Sequence, residues 1–171
     1  MAVQPNQVGL FYSGADYLNA IQGDPSKSLG NFVSSVLVSN GSFNNLFDEL
    51  GFYELQIGSD NYRCIYVVNQ STTDTMNNLS LYTTGQQAFE TISFGVSQPA
   101  NNTSPVQLLN SQYDMPYNVS FYSSSDPLNP IILIPSLPPL QMVALWLLRS
   151  IPENTLLRGL SDSLLLNFNW I

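Results

Sequence analysis

Residues 61–71, NYRCIYVVNQS, hold the only cysteine of the chain, Cys64, next to one of its four basic residues, Arg63. A guanidinium beside a thiol is the arrangement that lowers a cysteine pKa and makes a nucleophile. The surrounding residues read as a β-strand, however, and neighbours on a strand point to opposite faces. The pattern therefore places Cys64, Tyr66 and Val68 on one face and Arg63, Ile65 and Val67 on the other. Cys64 is expected to be a small buried hydrophobe. Arg63 is expected to be a fixed donor to a carboxylate or to backbone carbonyls.

Other routes to chemistry are closed by residue type. The chain has no histidine, which removes Ser-His and Cys-His pairs and the usual zinc and iron ligand sets. Asp48 and Glu49 are adjacent, and Asp60, Asp74, Asp114 and Asp126 fall in loops, with no spacing that matches a hydrolase pair or a calcium loop. The stretch GADYLNAIQG lacks the Lys-Ser/Thr pair of a phosphate loop. The expectation is a protein that is not an enzyme and uses no cofactor or metal.

Charge narrows the partners. Twelve acids face Lys27, Arg63, Arg149 and Arg158, for a net charge of −8. Four scattered cations cannot build a basic groove, which argues against nucleic acid and against anionic membranes. The most apolar run, residues 131–148, is broken by Pro135, Pro138, Pro139 and Gln141 and does not read as a membrane span. The first ten residues lack the pattern of a signal peptide. One cysteine excludes an internal disulfide and fits a reducing cytoplasm. Charged residues make up only 9% of the chain, against about 25% in an average domain. Asn, Ser, Thr and Gln fill the gap. A surface so electrically quiet suits a subunit covered by neighbours, because burying charge is costly.

The elements that must position these residues are short. Alternating or apolar runs bounded by Gly, Pro, Asn and Ser predict strands at 8–12, 33–40, 53–57, 62–69, 78–84, 91–97, 118–122, 131–134, 142–149 and 163–170. In the last, Leu164, Leu166, Phe168 and Trp170 share a face opposite Asn167 and Asn169. Phe43, Leu46, Phe47 and Leu50 repeat at helical spacing behind Ser42, which predicts one short helix over 42–50. Turns about every ten residues favour an all-β fold: an antiparallel β-sandwich, Ig-like or jelly-roll-like, as a single domain over 1–171 with long irregular loops. Two of those loops, 13–31 and 97–116, are long enough to require a function or a partner.

Several stretches carry a family likeness. Ser13-Gly14, Ser28-Leu29-Gly30, Asn45-Leu46-Phe47-Asp48 and Tyr62-Arg63-Cys64-Ile65-Tyr66 occur in that order. The segment LPPLQMVALWLLRSIPENT follows, with Gln141, Trp146, Arg149 and Pro152. Together they resemble a group of tailed-bacteriophage virion structural proteins. Ala15 and Asn31 stand where that group has second glycines, and Leu148 replaces the first of two arginines. The resemblance implies a β-sandwich subunit made in the host bacterial cytoplasm and built into a virion. Its expected role is an accessory capsid (decoration or cement) or head-tail connector-region protein holding larger capsid, neck or tail subunits together, with copies of itself as neighbours. The alternative is a carbohydrate- or receptor-binding module of a tail or baseplate, using aromatics such as Tyr122 and Trp170 as stacking platforms.

The strand MVALWLLR is apolar on both faces, which requires two covering layers. One of them is expected to be a neighbouring subunit, with Leu145 and Leu147 at the interface and Trp146 in the core. The structural and interface candidates are thus Arg63, Leu145, Trp146, Leu147, Arg149 and Trp170.

Overall fold

Two long strands set the architecture. In the computed structural model, which describes residues 3–41, 45–86, 90–97, 104–155 and 163–171, they are β2 (Ser59–Asn69) and β6 (Met142–Ile151). They pair antiparallel from Ser59↔Ile151 to Val68↔Met142. β1 (Val8–Tyr12) pairs with the far half of β2, and β4 (Thr91–Val96) pairs with β6. The first sheet has the order β1-β2-β6-β4. A second sheet has the order β5-β3-β7, where β3 is Met76–Gln86, β5 is Ile131–Leu137 and β7 is Ser163–Asn169. All pairings are antiparallel. The all-β sandwich expected from the turn spacing is the observed fold.

The period-two alternation of β2 and β6 decides what packs where. Ile65, Val67, Val143, Leu145 and Leu147 face the second sheet and form one core with Leu79, Leu81, Leu133 and Leu137. Leu166 and Phe168 of β7, and Trp170 just past its end, pack on that core, as the alternation predicts. Tyr62, Cys64, Tyr66, Ala144 and Trp146 face the other way and form a second core. Among the described residues no sheet covers that side. Leu29, Val33, Val106, Leu109, Val119 and Phe121 do so instead, contributed by segments 13–36 and 104–122. The long irregular loops therefore form a third layer over the first sheet.

Their backbone groups are satisfied along the edges of the sheet, as buried polar groups require. β1 ends at Tyr12↔Ile65. Beyond it the carbonyls of Ser28 and Gln112 accept from the N–H groups of Cys64 and Tyr62 at 2.7 Å each. On the opposite edge, Phe94 of β4 exchanges backbone hydrogen bonds with Tyr122. Pro135 lies in β5, an edge strand, the place in a sheet where a residue without an N–H is tolerated.

Five expectations are corrected. Residues 33–40 run beside β1 with a single bridge, Phe11↔Leu37, and do not form a continuous strand. Residues 118–122 likewise contribute only the bridge Phe94↔Tyr122. The predicted strand over 53–57 is instead a helix, α1 (Phe52–Ile57). The Glu54 carboxylate accepts from the Gly51 N–H at its start. The carbonyls of Leu55 and Gln56 accept from Thr155 and Asn154 at its end. The predicted helix over 42–50 is absent from its described part, which bends over 45–47 and is irregular over 48–50; Ser42 and Phe43 lie outside the described residues. Finally, Leu145 and Leu147 are 0% and 1% exposed within the chain itself, between the two sheets. They have no surface to offer a neighbour, so both layers covering β6 are intramolecular.

Candidate functional site

The sequence motifs converge on two clusters, one on each side of the β2–β6 pair. On the inter-sheet side, at the Ser59/Ile151 end, stand Arg63 and Arg149. Register places Arg149 opposite Asn61 and Arg63 opposite Leu147, so both guanidinium groups rise from the same face. Both arginines are buried, Arg63 at 1% exposure and Arg149 at 6%.

Their partner is the segment that was expected to be a helix. Arg63 Nε donates to the Leu46 carbonyl at 3.1 Å, and Nη1 donates to the Tyr62 carbonyl at 3.0 Å. Nη2 donates to Asp48 Oδ2 at 2.9 Å and to Gln112 Oε1 at 2.6 Å. Arg149 Nη1 donates to the Asp48 carbonyl at 3.0 Å. The Phe47 ring lies under both cations, 4.7 Å from the Arg149 guanidinium carbon and 5.7 Å from that of Arg63. Tyr12 Oη donates to the Asn45 carbonyl at 2.9 Å and holds the start of the same segment. Residues 45–48 are thus clasped to the sheet through main chain, carboxylate and ring at once.

The electrostatics follow from burial. Desolvation lowers the pKa of Arg63, and the Asp48 carboxylate opposes it. Arg149 is lowered by burial too, with Glu90 and Glu54 opposing and Arg63 adding repulsion. Asn61 Oδ1 and Arg149 Nε are buried with no hydrogen-bond partner among the described residues, and they sit on directly opposed positions. The clasp is a polar structure inside an apolar core, and every contact made by Arg63 points to position rather than reactivity.

On the other side, the Ser-Gly and Ser-Leu-Gly motifs meet over Cys64 and Trp146. Ser13 Oγ donates to the Cys64 carbonyl at 2.8 Å and accepts from the Gly30 N–H at 3.1 Å, and Gly14 N–H donates to the Gly30 carbonyl at 2.5 Å. Gly30 has φ +103, and a Cβ there would stand 1.8 Å from the Gln107 carbonyl oxygen and 3.1 Å from the Trp146 ring. Only glycine fits. Asn31 occupies φ 66, a region that glycine takes freely and asparagine tolerates. Tyr66 Oη donates to the Asn31 carbonyl at 2.6 Å, and Trp146 Nε1 donates to Ser97 Oγ at 2.5 Å.

Cys64 is fully buried in this cluster, and burial pushes its thiol pKa far up, only partly offset by a hydrogen bond from Ser13. Burial and the raised pKa both favour the neutral thiol over the thiolate. Arg63 faces the opposite side, as the strand alternation requires. Trp170 is half-buried, packs on the inter-sheet core and donates from Nε1 to the Val3 carbonyl at 2.8 Å. Tyr122 remains 57% exposed. A surface depression of about 460 Å³ is bordered, among the described residues, by uncharged side chains that include Ser97, Ser104, Gln107, Tyr117 and Met142. Among the described residues no group of three or more Cys, Asp or Glu side chains is placed to hold a metal ion. Gln112, Ser13 and Phe47 were not singled out from sequence as contact residues; they belong to motifs or loops whose partners lie far along the chain.

Comparison with protein-family models, with curated proteins and with solved structures finds no match for this chain.

Proposed function

We propose that the chain is a non-enzymatic structural subunit of a tailed-phage virion. In this reading it is an accessory capsid (decoration or cement) or head-tail connector-region protein that stabilises contacts between larger subunits. The observation that carries the reading is how the chain distributes its few charges and its apolar side chains. Two of the four basic residues, Arg63 and Arg149, are used inside the fold. Meanwhile large apolar side chains stand in solvent, among them Ile21 at 88%, Leu128 at 87%, Phe52 at 80% and Tyr117 at 79%. A free-standing protein ordinarily keeps both signs of charge on its surface for solubility. A subunit packed among others benefits from apolar surface and loses nothing by lacking charge. The resemblance to phage virion proteins points the same way, and the motifs that carry it build the fold.

The test is the composition of purified particles of the phage that encodes the chain. Mass spectrometry should find the protein in fixed stoichiometry with the major structural subunits, and density for the sandwich should appear in the intact particle. Presence in the lysate with absence from purified particles would refute the reading. Saturable binding of the isolated protein to host polysaccharide, lost in Tyr122→Ala with the fold intact, would favour the receptor-binding alternative instead.

A further inference from the structure

Asn40-Gly41 is the one place in the chain where an asparagine precedes a glycine. The pair sits in an exposed bend, and Gly41 has φ +72 with nothing within 4 Å of where a Cβ would stand. Neither the Asn40 side chain nor the Gly41 N–H makes a hydrogen bond among the described residues. Other asparagines differ at that nitrogen. The N–H groups that follow Asn19, Asn61, Asn69, Asn110 and Asn154 each donate a hydrogen bond of 2.7–3.0 Å. Asn110 is the close comparison. It is exposed and precedes the small Ser111, yet the Ser111 N–H is held by Asp114 Oδ2 at 2.9 Å.

We propose that Asn40 is a self-modification site, at which the Gly41 main-chain nitrogen displaces the side-chain amide as ammonia. Hydroxide takes the proton of the Gly41 N–H. The nitrogen electron pair then attacks Asn40 Cγ, the Cγ–Nδ2 bond breaks, and the amide nitrogen leaves as ammonia with a proton from water. A succinimide ring remains. Water opens that ring at either carbonyl. Attack at Cγ restores the ordinary main chain with an aspartate, whereas attack at the main-chain carbonyl leaves the link through the side chain, an isoaspartate. In sum, one amide and one water give one carboxylate and one ammonium ion, with nothing oxidised or reduced. Glycine favours the step twice, because it has no side chain to block the approach and its backbone moves at little cost. The Gly41 N–H also has no hydrogen bond to give up.

The site lies at the entrance to the clasp. On one side the Val38 N–H donates to the Leu10 carbonyl at 2.8 Å. On the other, Asn45 Nδ2 donates to the Ser39 carbonyl, and Tyr12 Oη holds the Asn45 carbonyl at 2.9 Å. Asn40 and Gly41 therefore lie between two pinned points. An isoaspartate lengthens the main-chain path between them by one carbon, and either product adds one negative charge to a chain already at −8. The modification loosens the segment that Arg63 and Arg149 hold. It needs only this chain and water, so it does not rest on the proposed subunit role.

Peptide mapping by mass spectrometry of the purified full chain, aged in parallel at about pH 6 and about pH 9, tests it. The expected result is a gain of about 1 Da on the peptide that carries Asn40, with aspartate and isoaspartate forms separating on chromatography. The attacking nitrogen must first lose its proton, so conversion should be at least about tenfold faster at the higher pH. Asn40→Gln, whose longer side chain must close a larger ring, should slow it at least about tenfold with unchanged circular dichroism. Asn110 should stay intact in the folded chain and convert once guanidinium unfolds it. No mass gain at Asn40 would overturn the proposal. So would equal conversion of Asn110 in the folded chain, because a hydrogen-bonded nitrogen would then give no protection. Limited proteolysis should cut the aged chain near residues 45–50 sooner than the fresh chain, with no such change in aged Asn40→Gln. Equal cutting of aged and fresh chains would overturn the link to the clasp.

Discussion

Removing Asp48 and removing Arg63 should have unequal costs, although they are two ends of one ion pair. The Arg63 guanidinium is buried, and its charge is compensated at 2.9 Å by a carboxylate that is itself 50% exposed. In Asp48→Ala the arginine keeps its bonds to Leu46, Tyr62 and Gln112 but loses its counter-charge, with Arg149 sharing the same Phe47 ring. Breaking a buried pair costs about 3–5 kcal/mol, whereas an exposed pair is worth about 0–1 kcal/mol. A pair with one end in water falls between, at about 2 kcal/mol. In Arg63→Met the charge leaves with the side chain, Asp48 rehydrates, and the carbonyls of Leu46 and Tyr62 and the Gln112 amide lose a charged donor. Charge-assisted hydrogen bonds contribute about 1.5–3 kcal/mol each when deleted singly, and partial rehydration brings the total to about 3–4 kcal/mol. For a chain of this size these are shifts of about 4–8 °C for Asp48→Ala and about 6–16 °C for Arg63→Met. Urea unfolding followed by tryptophan fluorescence measures both. The double variant should cost less than the sum of the singles by about 1–2 kcal/mol. Limited proteolysis should cut near residues 45–50 first in either single variant. Equal small losses below about 0.5 kcal/mol, of the size usual for surface substitutions, would show that the clasp contributes nothing beyond an ordinary surface pair.

Three further outcomes are expected. Burial raises the pKa of Cys64 and Tyr66 above their ordinary values of 9.0 and 10.0. Above pH about 9 the unfolded chain therefore releases protons that the folded chain keeps, and stability falls by up to about 1.4 kcal/mol per pH unit per group. Cys64→Ala should remove the thiol's share of that slope, and an aromatic disulfide reagent should modify Cys64 only on unfolding. Leu145→Asp and Leu147→Asp should each unfold the chain, as should Trp146→Asp, because all three are enclosed within the fold and an unpaired buried charge costs several kcal/mol; a soluble chain with native circular dichroism in either leucine variant would refute the intramolecular packing. Gly30→Ala must push Cβ into the Gln107 carbonyl at a positive φ, so loss of the loop layer over Trp146 should appear as a red-shifted tryptophan emission and a lower melting temperature.

What sequence reading reached and missed divides along contact distance. β1 was legible over 8–12 with its observed ends, because turn residues bound it on both sides. The faces of β2 and β6 were legible because a strand's period of two is strict. Arg63 was recognised as a donor to a carboxylate, since a cation in an apolar strand needs one. The segment 42–50 misled because Phe43, Leu46, Phe47 and Leu50 do have helical spacing. Its described part is instead held by arginines from residues 63 and 149, a force no local window contains. The apolar β6 correctly implied two covering layers. Whether those layers came from the same chain could not be read, because segments 13–36 and 104–122 pack by isolated contacts with no period. The residues 53–57 are too few to separate strand from helix by periodicity.

The pairing of β2 with β6 also dictates the order in which the molecule can be made. Every rung of that ladder, from Val68↔Met142 to Ser59↔Ile151, joins residues more than seventy positions apart. Loop closure over such a distance comes before any packing energy is returned, so folding is slow relative to domains built from hairpins. On a ribosome, β2 emerges long before its central partner exists; segment 13–36 is already made and can cover Cys64 and Tyr66, whereas Ile65 and Val67 wait for the rest of the inter-sheet core. The clasp at Arg149 and the inter-sheet core cannot close until residue 149 clears the exit tunnel. Until then the β2 side chains that face the second sheet are exposed to aggregation, and the yield of the chain should depend on elongation rate and chaperone supply as well as on the stability of the finished fold.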